Sequence, residues 1–145
     1  MLPRITLTAA ALLIAGAMGT ALADGDIVKT RKDGFEANKK AMGAVKTILE
    51  KGEGLAAVGE HARMMTSFAA TIPTLFPAGS ESGDTDARPA VWTNFDDFTA
   101  RAKAFETAAK ALEDAAAAGD KAAVGKQFAA VGASCKACHQ DYKKD

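Results

Sequence analysis

Two cysteines and a histidine stand together near the end of the chain, and their spacing suits one kind of chemistry. Residues 135–139 form the pattern C-x-x-C-H, with thiols at Cys135 and Cys138 and an imidazole at His139. Two thiols one helical turn apart can each add across one of the two vinyl groups on a porphyrin edge. The imidazole that follows can then meet the iron from one face. The pattern predicts one covalent haem c, held by two thioethers, with His139 as the axial iron ligand.

Three other uses of these side chains stay open at this point. A thioredoxin-type C-x-x-C normally begins a helix after a strand, where the helix N-terminus lowers the thiol pKa; this pair lies near the chain end with no strand pattern before it. A zinc site needs four ligands, and His61 is the only other histidine. A disulfide that closes so small a loop would stabilise little and would leave His139 without a role.

The rest of the chain has the composition of helices that could position this motif. Residues 24–71 and 90–145 contain no proline and are rich in alanine, whereas residues 72–89 contain three prolines. This distribution predicts helices interrupted by one long loop, and no alternating run of β-branched residues indicates a strand. The predicted helices cover about residues 24–51, 55–71 and 89–118, with a fourth that begins after Asp120.

The fourth helix has a continuous apolar stripe. Its members are spaced 4, 3, 4, 3 and 4 residues apart: Val124, Phe128, Val131, Cys135, Cys138 and Tyr142. A stripe with this period faces the interior, so we expect both cysteines to point inward and His139 to flank the same face. Four amphipathic helices without strands predict an all-α fold, an antiparallel up-and-down four-helix bundle with covalent haem.

A charged residue interrupts the stripe of the first helix. The apolar members of that stripe are Ile27, Phe35, Met42, Val45 and Leu49. Arg31 lies among them, four residues from both Ile27 and Phe35. A charge there is costly unless a negative group meets it, and the two propionates of a haem would do so. The alternative is an arginine that snorkels to the end of the bundle.

The first 23 residues have the three parts of a secretory signal peptide. Arg4 gives a positive start, an apolar stretch follows to about Thr20, and Ala21 and Ala23 form a small-x-small site before Asp24. A membrane anchor is the alternative, but a spanning helix needs about 20 strongly apolar residues. We expect cleavage after Ala23, which leaves residues 24–145 as one bundle domain with no membrane segment.

Charge and composition narrow the function further. The formal net charge of the chain is +0, which argues against nucleic acid as a partner because binding to phosphates needs a basic surplus. No acid–base pair or nucleophile accompanies the predicted haem, so an enzyme is not expected.

The sequence resembles the cytochrome c′ family, the class II c-type cytochromes, which carry the haem motif at the C-terminus of a four-helix chain. The resemblance spans residues 24–145. The residues that carry it are Arg31 and Phe35 in the first helix, residues 75–79 in the loop, Val91 and Trp92 at the start of the third helix, and residues 135–142.

The resemblance implies roles for individual residues. Cys135 and Cys138 would form the thioethers, His139 would be the axial ligand, Arg31 would lie beside the propionates, and Thr85 and Asp86 would lie in a loop close to the haem. Lys143 stands where many relatives have an arginine near the proximal histidine, and lysine lacks the planar, multi-donor head of arginine.

Phe35 corresponds to the family's distal position, over the open face of the iron. Phenylalanine has no lone pair to donate, so the resemblance implies a five-coordinate haem that binds small neutral gases, nitric oxide and carbon monoxide, with possible one-electron transfer. The alternative is a six-coordinate electron-transfer cytochrome with Met42, Met64 or Met65 as the sixth ligand. We favour core packing for these methionines and a surface position for His61.

The signal peptide and the resemblance together bear on location and partners. Residues 1–23 predict export to the bacterial periplasm, and members of the family are often homodimers through the first and second helices. The sequence has no decisive apolar patch for a dimer and leaves the redox partner protein open.

Overall fold

The computed structural model describes residues 19–144 of the chain. Within them the chain is almost wholly helical. The elements are α1 (Gly19–Lys51), α2 (Leu55–Thr71), a 3-10 helix (Ile72–Leu75), α3 (Ala90–Thr93), α4 (Phe95–Ala117) and α5 (Lys121–Tyr142). The four long helices form the predicted four-helix bundle. Residues 1–18, most of the predicted signal peptide, lie outside the described residues.

Short, glycine-containing connections reverse the chain after α1 and after α4. Gly54 precedes α2 with φ 82° and Gly119 follows α4 with φ 69°. Both angles are in the left-handed region, which glycine adopts without a steric penalty. Asp120 caps α5, because its side chain accepts a hydrogen bond from the Ala123 amide at 2.9 Å. These connections give the antiparallel order expected from the sequence.

Three of the four pairs of neighbouring long helices pack closely. α2 packs against both α1 and α4, and α4 packs against α5. Within residues 19–144 the backbones of α1 and α5 make no comparable approach. The core between the packed helices is apolar, with Val45, Val58, Met65, Leu112 and Val131 fully buried. One side of the bundle, between α1 and α5, is therefore less tightly closed than the others.

The third predicted helix is in fact two helices that meet at Asn94. This residue leaves helical geometry with φ −133° and ψ 47°, and its side-chain amide donates to the Tyr142 hydroxyl at 3.2 Å. Asparagine side chains compete with helical backbone for hydrogen bonds. The prediction of one continuous helix over 89–118 was wrong because it took no account of this long-range bond.

The buried face of α1 is rotated from the predicted apolar stripe. Its most buried residues between positions 28 and 45 are Val28, Arg31, Asn38, Ala41 and Val45. Two of these residues, Arg31 and Asn38, are polar. A stripe predicted from apolar residues alone therefore did not coincide with the buried face. Phe35 lies at the edge of this face and is 36% exposed.

In the described part of the chain, no helix is both long enough and apolar enough to cross a bilayer.

Candidate functional site

α5 presents the two cysteines toward the interior. Val124, Val131 and Tyr142 of the predicted stripe are buried, and Cys135 and Cys138 are partly buried and pack against the core. Both are free thiols. The prediction that this stripe faces inward is confirmed.

Burial keeps both thiols protonated at neutral pH. It raises the pKa of Cys135, and it raises the pKa of Cys138 to about 11 although Arg101 acts in the opposite direction. A thioredoxin-type motif needs a lowered thiol pKa, so this arrangement disfavours that alternative. The zinc alternative is also disfavoured, because no group of three or more potential metal ligands occurs in the described residues.

His139 follows Cys138, and much of the residue is exposed to solvent. Partial burial, and then the positive charge of Lys143, lower the pKa of His139. The ring is therefore neutral at pH 7, and neutral imidazole is the form that binds a metal. His61, in contrast, lies on α2 and is only partly buried; it is not part of this cluster.

Phe35 stands on α1 within an aromatic group. Its ring meets that of Phe68 edge to face, with centroids 5.1 Å apart, and lies 6.5 Å from that of Phe76. Phe68 packs over Gly34 so closely that a Cβ there would stand 2.0 Å from a ring carbon. Gly34 thus allows α2 to support Phe35, a role that sequence reasoning missed because it depends on contact between two helices.

The three methionines considered as a sixth iron ligand occupy different environments. Met65 is fully buried in the core, as expected, whereas Met64 is 39% exposed on α2, so the expectation of core packing was wrong for Met64. Met42 is partly buried, and its terminal methyl lies 4.0 Å from the position a Cβ would have on Gly132 in α5. Met42 is the only one of the three on the helix that bears Phe35.

Arg31 is buried, with 2% of its surface exposed. Its terminal nitrogens donate to the Ser80 carbonyl at 2.6 Å, the Ser80 hydroxyl at 3.2 Å, the Leu75 carbonyl at 3.4 Å and Thr85 Oγ1 at 3.3 Å. The guanidinium carbon lies 4.5 Å from the centre of the Phe76 ring. Arg31 does not snorkel to the bundle end; it is held inside by the loop.

The charge of Arg31 is only partly compensated. Its Nε has no hydrogen-bond partner, and burial lowers the pKa of its guanidinium, with Glu81 acting in the opposite direction. Among the described residues no carboxylate forms an ion pair with it. A buried N–H without an acceptor is costly. This orphaned donor suits an anionic group such as a haem propionate.

Thr85 and Asp86 are neighbours in the loop but differ in burial and in their partners. Thr85 is partly buried and accepts from Arg31. Asp86 is exposed; its carbonyl accepts from the Lys144 amide at 2.7 Å, and its carboxylate lies 3.8 Å from Lys143 Nζ. The structure thus brings Thr85 to Arg31 and turns Asp86 toward the C-terminal residues, where Lys143 pairs with it.

A second polar cluster ties the end of α5 to the start of α4. The Tyr142 hydroxyl donates to Asp97 Oδ2 at 2.6 Å and accepts from Asn94. Arg101 forms ion pairs with both Asp97, at 3.2 Å, and Asp141, at 3.3 Å. The spacing of α5 predicts Tyr142 only as a member of an apolar stripe. The spacing of Asp97 and Arg101 on one helix face was a visible signal, but their link to Tyr142 was not.

The chain matches the family model described as "Cytochrome C'" over residues 26–143. It belongs to the cytochrome c′ family. A cytochrome c-556 of Agrobacterium fabrum is 38% identical over 141 residues, which cover 95% of this chain and 94% of that protein.

Solved cytochrome c′ structures have the same fold. That from Thermochromatium tepidum has a TM-score of 0.80 and 34% identity, and covers 84% of this chain and 97% of its own. A nitric oxide complex of a mutant cytochrome c′ from Alcaligenes xylosoxidans has a TM-score of 0.76 and 30% identity, and covers 84% of this chain and 96% of its own. The chain is therefore a haem protein of the c-type cytochromes, and its two cysteines are consistent with covalent attachment.

Proposed function

We propose that this cytochrome c′ carries one haem c and binds nitric oxide and carbon monoxide at an iron position that no side chain occupies. Cys135 and Cys138 form the thioethers and His139 is the axial ligand. The observation that carries the proposal is Phe35: a large apolar side chain that remains 36% exposed on α1 although its ring packs against Phe68 and Phe76. When bound, the haem supplies the iron that takes up the gas.

The chain's own residues fit this group. Two protonated thiols on the inner face of α5 can add across vinyl groups, with sulfur and hydrogen both retained in the product. The neutral imidazole of His139 has a lone pair for the metal. Arg31 has a buried, unpaired Nε that a propionate oxygen would satisfy.

Phe35 determines which gases the site favours. It cannot ligate iron, and it offers no hydrogen-bond donor to a polar iron–oxygen unit. The nearest amide on the same helix, Asn38, already donates to the Gly34 carbonyl at 2.7 Å. A missing donor is worth about 1–3 kcal/mol, or roughly ten- to a hundredfold in affinity. Dioxygen is therefore disfavoured relative to nitric oxide and carbon monoxide, whose binding to iron depends less on a hydrogen bond from the protein. The nitric oxide complex of the Alcaligenes relative supports this choice.

One-electron exchange is a second function, compatible with the first. The exposed residues of α5 from 121 to 140 include Lys126 and Lys136, and this stretch contains no acidic residue. Lys136 stands between the two cysteines. A basic face next to the attached haem favours encounter with an acidic redox protein. The six-coordinate alternative requires a sixth ligand, and Met42 is the candidate methionine that shares α1 with Phe35.

Export and assembly complete the proposal. Residues 1–23 act as a cleaved signal peptide, and residues 24–145 work in the bacterial periplasm, where haem c is attached. The holoprotein forms a homodimer through α1 and α2, as the family resemblance implies.

The test is the visible spectrum and the denatured mass of protein recovered from periplasm. We expect a mass of residues 24–145 plus one haem, a high-spin reduced spectrum, and a large change when nitric oxide is added. The mass of the bare polypeptide would contradict haem attachment. A low-spin spectrum that does not respond to the gas would favour the six-coordinate alternative.

A further inference from the structure

The side of the bundle between α1 and α5 is spanned by a segment of the long loop. We call residues 80–88 the strap. α1 carries Phe35, and α5 carries His139, but within residues 19–144 these two helices approach each other less closely than the other neighbouring long helices do. The strap contacts both, so it is a physical link between the residue proposed to lie over the iron and the residue proposed to bind it.

The first end of the strap is attached to α1. Arg31, one turn before Phe35, donates to the Ser80 carbonyl at 2.6 Å and to Thr85 Oγ1 at 3.3 Å. Lys32, the next residue, pairs with Asp84 at 2.5 Å. The Lys32 pair is exposed and contributes little. The Arg31 bond to Ser80 is buried and that to Thr85 is partly buried; both are charge-assisted, so they are the strong attachment.

The other end is attached to the C-terminal turn of α5. The Arg88 amide donates to the Tyr142 carbonyl at 2.9 Å, and the Lys144 amide donates to the Asp86 carbonyl at 2.7 Å. Ala87 and Lys143 form an antiparallel bridge. The Arg88 guanidinium also donates to the Gln140 carbonyl at 2.9 Å. All of these partners lie within five residues of His139.

Thr85 is the residue at which the two attachments meet. Its Oγ1 accepts from Arg31 and also from the Ala87 amide at 3.2 Å. Its carbonyl accepts from Lys144 Nζ at 3.1 Å. One threonine therefore has hydrogen bonds to α1, to the strap itself and to the residues that follow α5.

We infer that Thr85 is a positioning residue that couples α1 to the C-terminal turn of α5 and thereby limits how readily Phe35 moves aside for an incoming gas. The inference rests on the proposed function, because it takes Phe35 to lie over the iron. The physical reason is that α1 packs closely on α2 but has few direct contacts with α5, so the hydrogen bonds through the strap are a main link between α1 and the C-terminal turn of α5. Loss of the Thr85 acceptor leaves a buried N–H of Arg31 unpaired and loosens that anchor.

The first test replaces Thr85 by the isosteric valine. In Thr85→Val we expect carbon monoxide to associate with the ferrous holoprotein about fivefold faster, the factor for a hydrogen bond of ordinary net strength. We also expect faster native-state hydrogen exchange at the amides of Arg88 and Lys144. Thr74→Val is the matched control, since Thr74 is exposed and its hydroxyl bonds only to the nearby Thr71 carbonyl at 2.7 Å; it should change neither quantity.

A second variant keeps the test decisive if Thr85→Val folds poorly. Lys144→Met removes the donor to the Thr85 carbonyl at an exposed site, and we expect a change in the same direction. In the double variant the increase in the association rate should be smaller than the two single effects combined, because both substitutions act through one segment. Wild-type rates in both single variants, or exchange unchanged at both amides, would overturn the inference. A wild-type protein that binds no carbon monoxide would contradict the proposed function alone, since the exchange measurement still tests the strap.

Discussion

The hydroxyl of Tyr142 donates to the carboxylate of Asp97 across 2.6 Å, and so fixes the last turn of α5, three residues after His139, to the first turn of α4. Tyr142 is 4% exposed, and its hydroxyl also accepts from Asn94. The haem-attachment motif therefore lies on a helix whose end is held by a buried polar group as well as by apolar packing.

Removal of that hydroxyl should destabilise the fold. In Tyr142→Phe, Asp97 loses a donor and Asn94 loses an acceptor, while the ring still packs against Phe98. We expect a loss of about 1–3 kcal/mol in the free energy of unfolding, measured by urea denaturation of the holoprotein. Lys103→Met, which breaks an exposed ion pair with Glu106, should change it by less than about 1 kcal/mol. Equal effects in the two variants would contradict a special role for Tyr142.

The same residue predicts a dependence on alkaline pH. Burial, and then the bond to Asp97, raise the pKa of Tyr142 from 10.0 to about 12. Because the folded-state pKa is the higher one, the stabilisation is fully present below pH 10 and is lost as the pH rises toward 12. Tyr142 is the only tyrosine, so tyrosinate absorbance follows it directly. We expect Tyr142 to ionise at a higher pH in the folded protein than in the unfolded chain. Coincident titration curves for the two states would contradict the prediction.

The dependence of folding stability on acid pH involves Asp97. Its bonds to Tyr142, and then to Arg101, lower the pKa of Asp97 below 3.8. A lowered folded-state pKa gives stabilisation that is present above the unfolded value and lost as the pH falls through the folded one. Stability should therefore decline below about pH 4 in wild type, and less steeply in Asp97→Asn. Parallel acid profiles of the two proteins, followed by circular dichroism, would show that Asp97 does not contribute.

The predictable parts of the fold are those encoded by neighbouring residues. The inward face of α5 followed from the spacing of Val124, Val131 and Cys138, and that spacing is a property of one helix. The environment of Arg31 did not follow in the same way, because its acceptors on Ser80 and Thr85 lie about fifty residues away in a loop without periodicity. The break at Asn94 was missed for the same reason, since its partner Tyr142 belongs to another helix.

Loss of both cysteines should separate haem binding from haem attachment. In Cys135→Ser/Cys138→Ser the axial His139 remains, so some haem can bind, but no thioether can form. We expect the denatured mass to equal that of the polypeptide and the haem to extract into acidified organic solvent. Each single variant retains one thioether and should keep haem through denaturation. Covalent haem in the double variant would place the attachment elsewhere.

Phe35→Met tests whether the position over the iron decides the type of cytochrome. Methionine is close to phenylalanine in apolar character but brings a thioether sulfur that can ligate iron. If Phe35 lies over the metal, the variant should become low-spin and lose at least about tenfold in carbon monoxide affinity, which corresponds to about 1.4 kcal/mol of competition from the new ligand. Phe95→Met is the matched control, because Phe95 is 37% exposed against 36% for Phe35 but begins α4. A high-spin spectrum and wild-type affinity in Phe35→Met would mean that Phe35 does not face the iron, and the five-coordinate assignment would then lose its support.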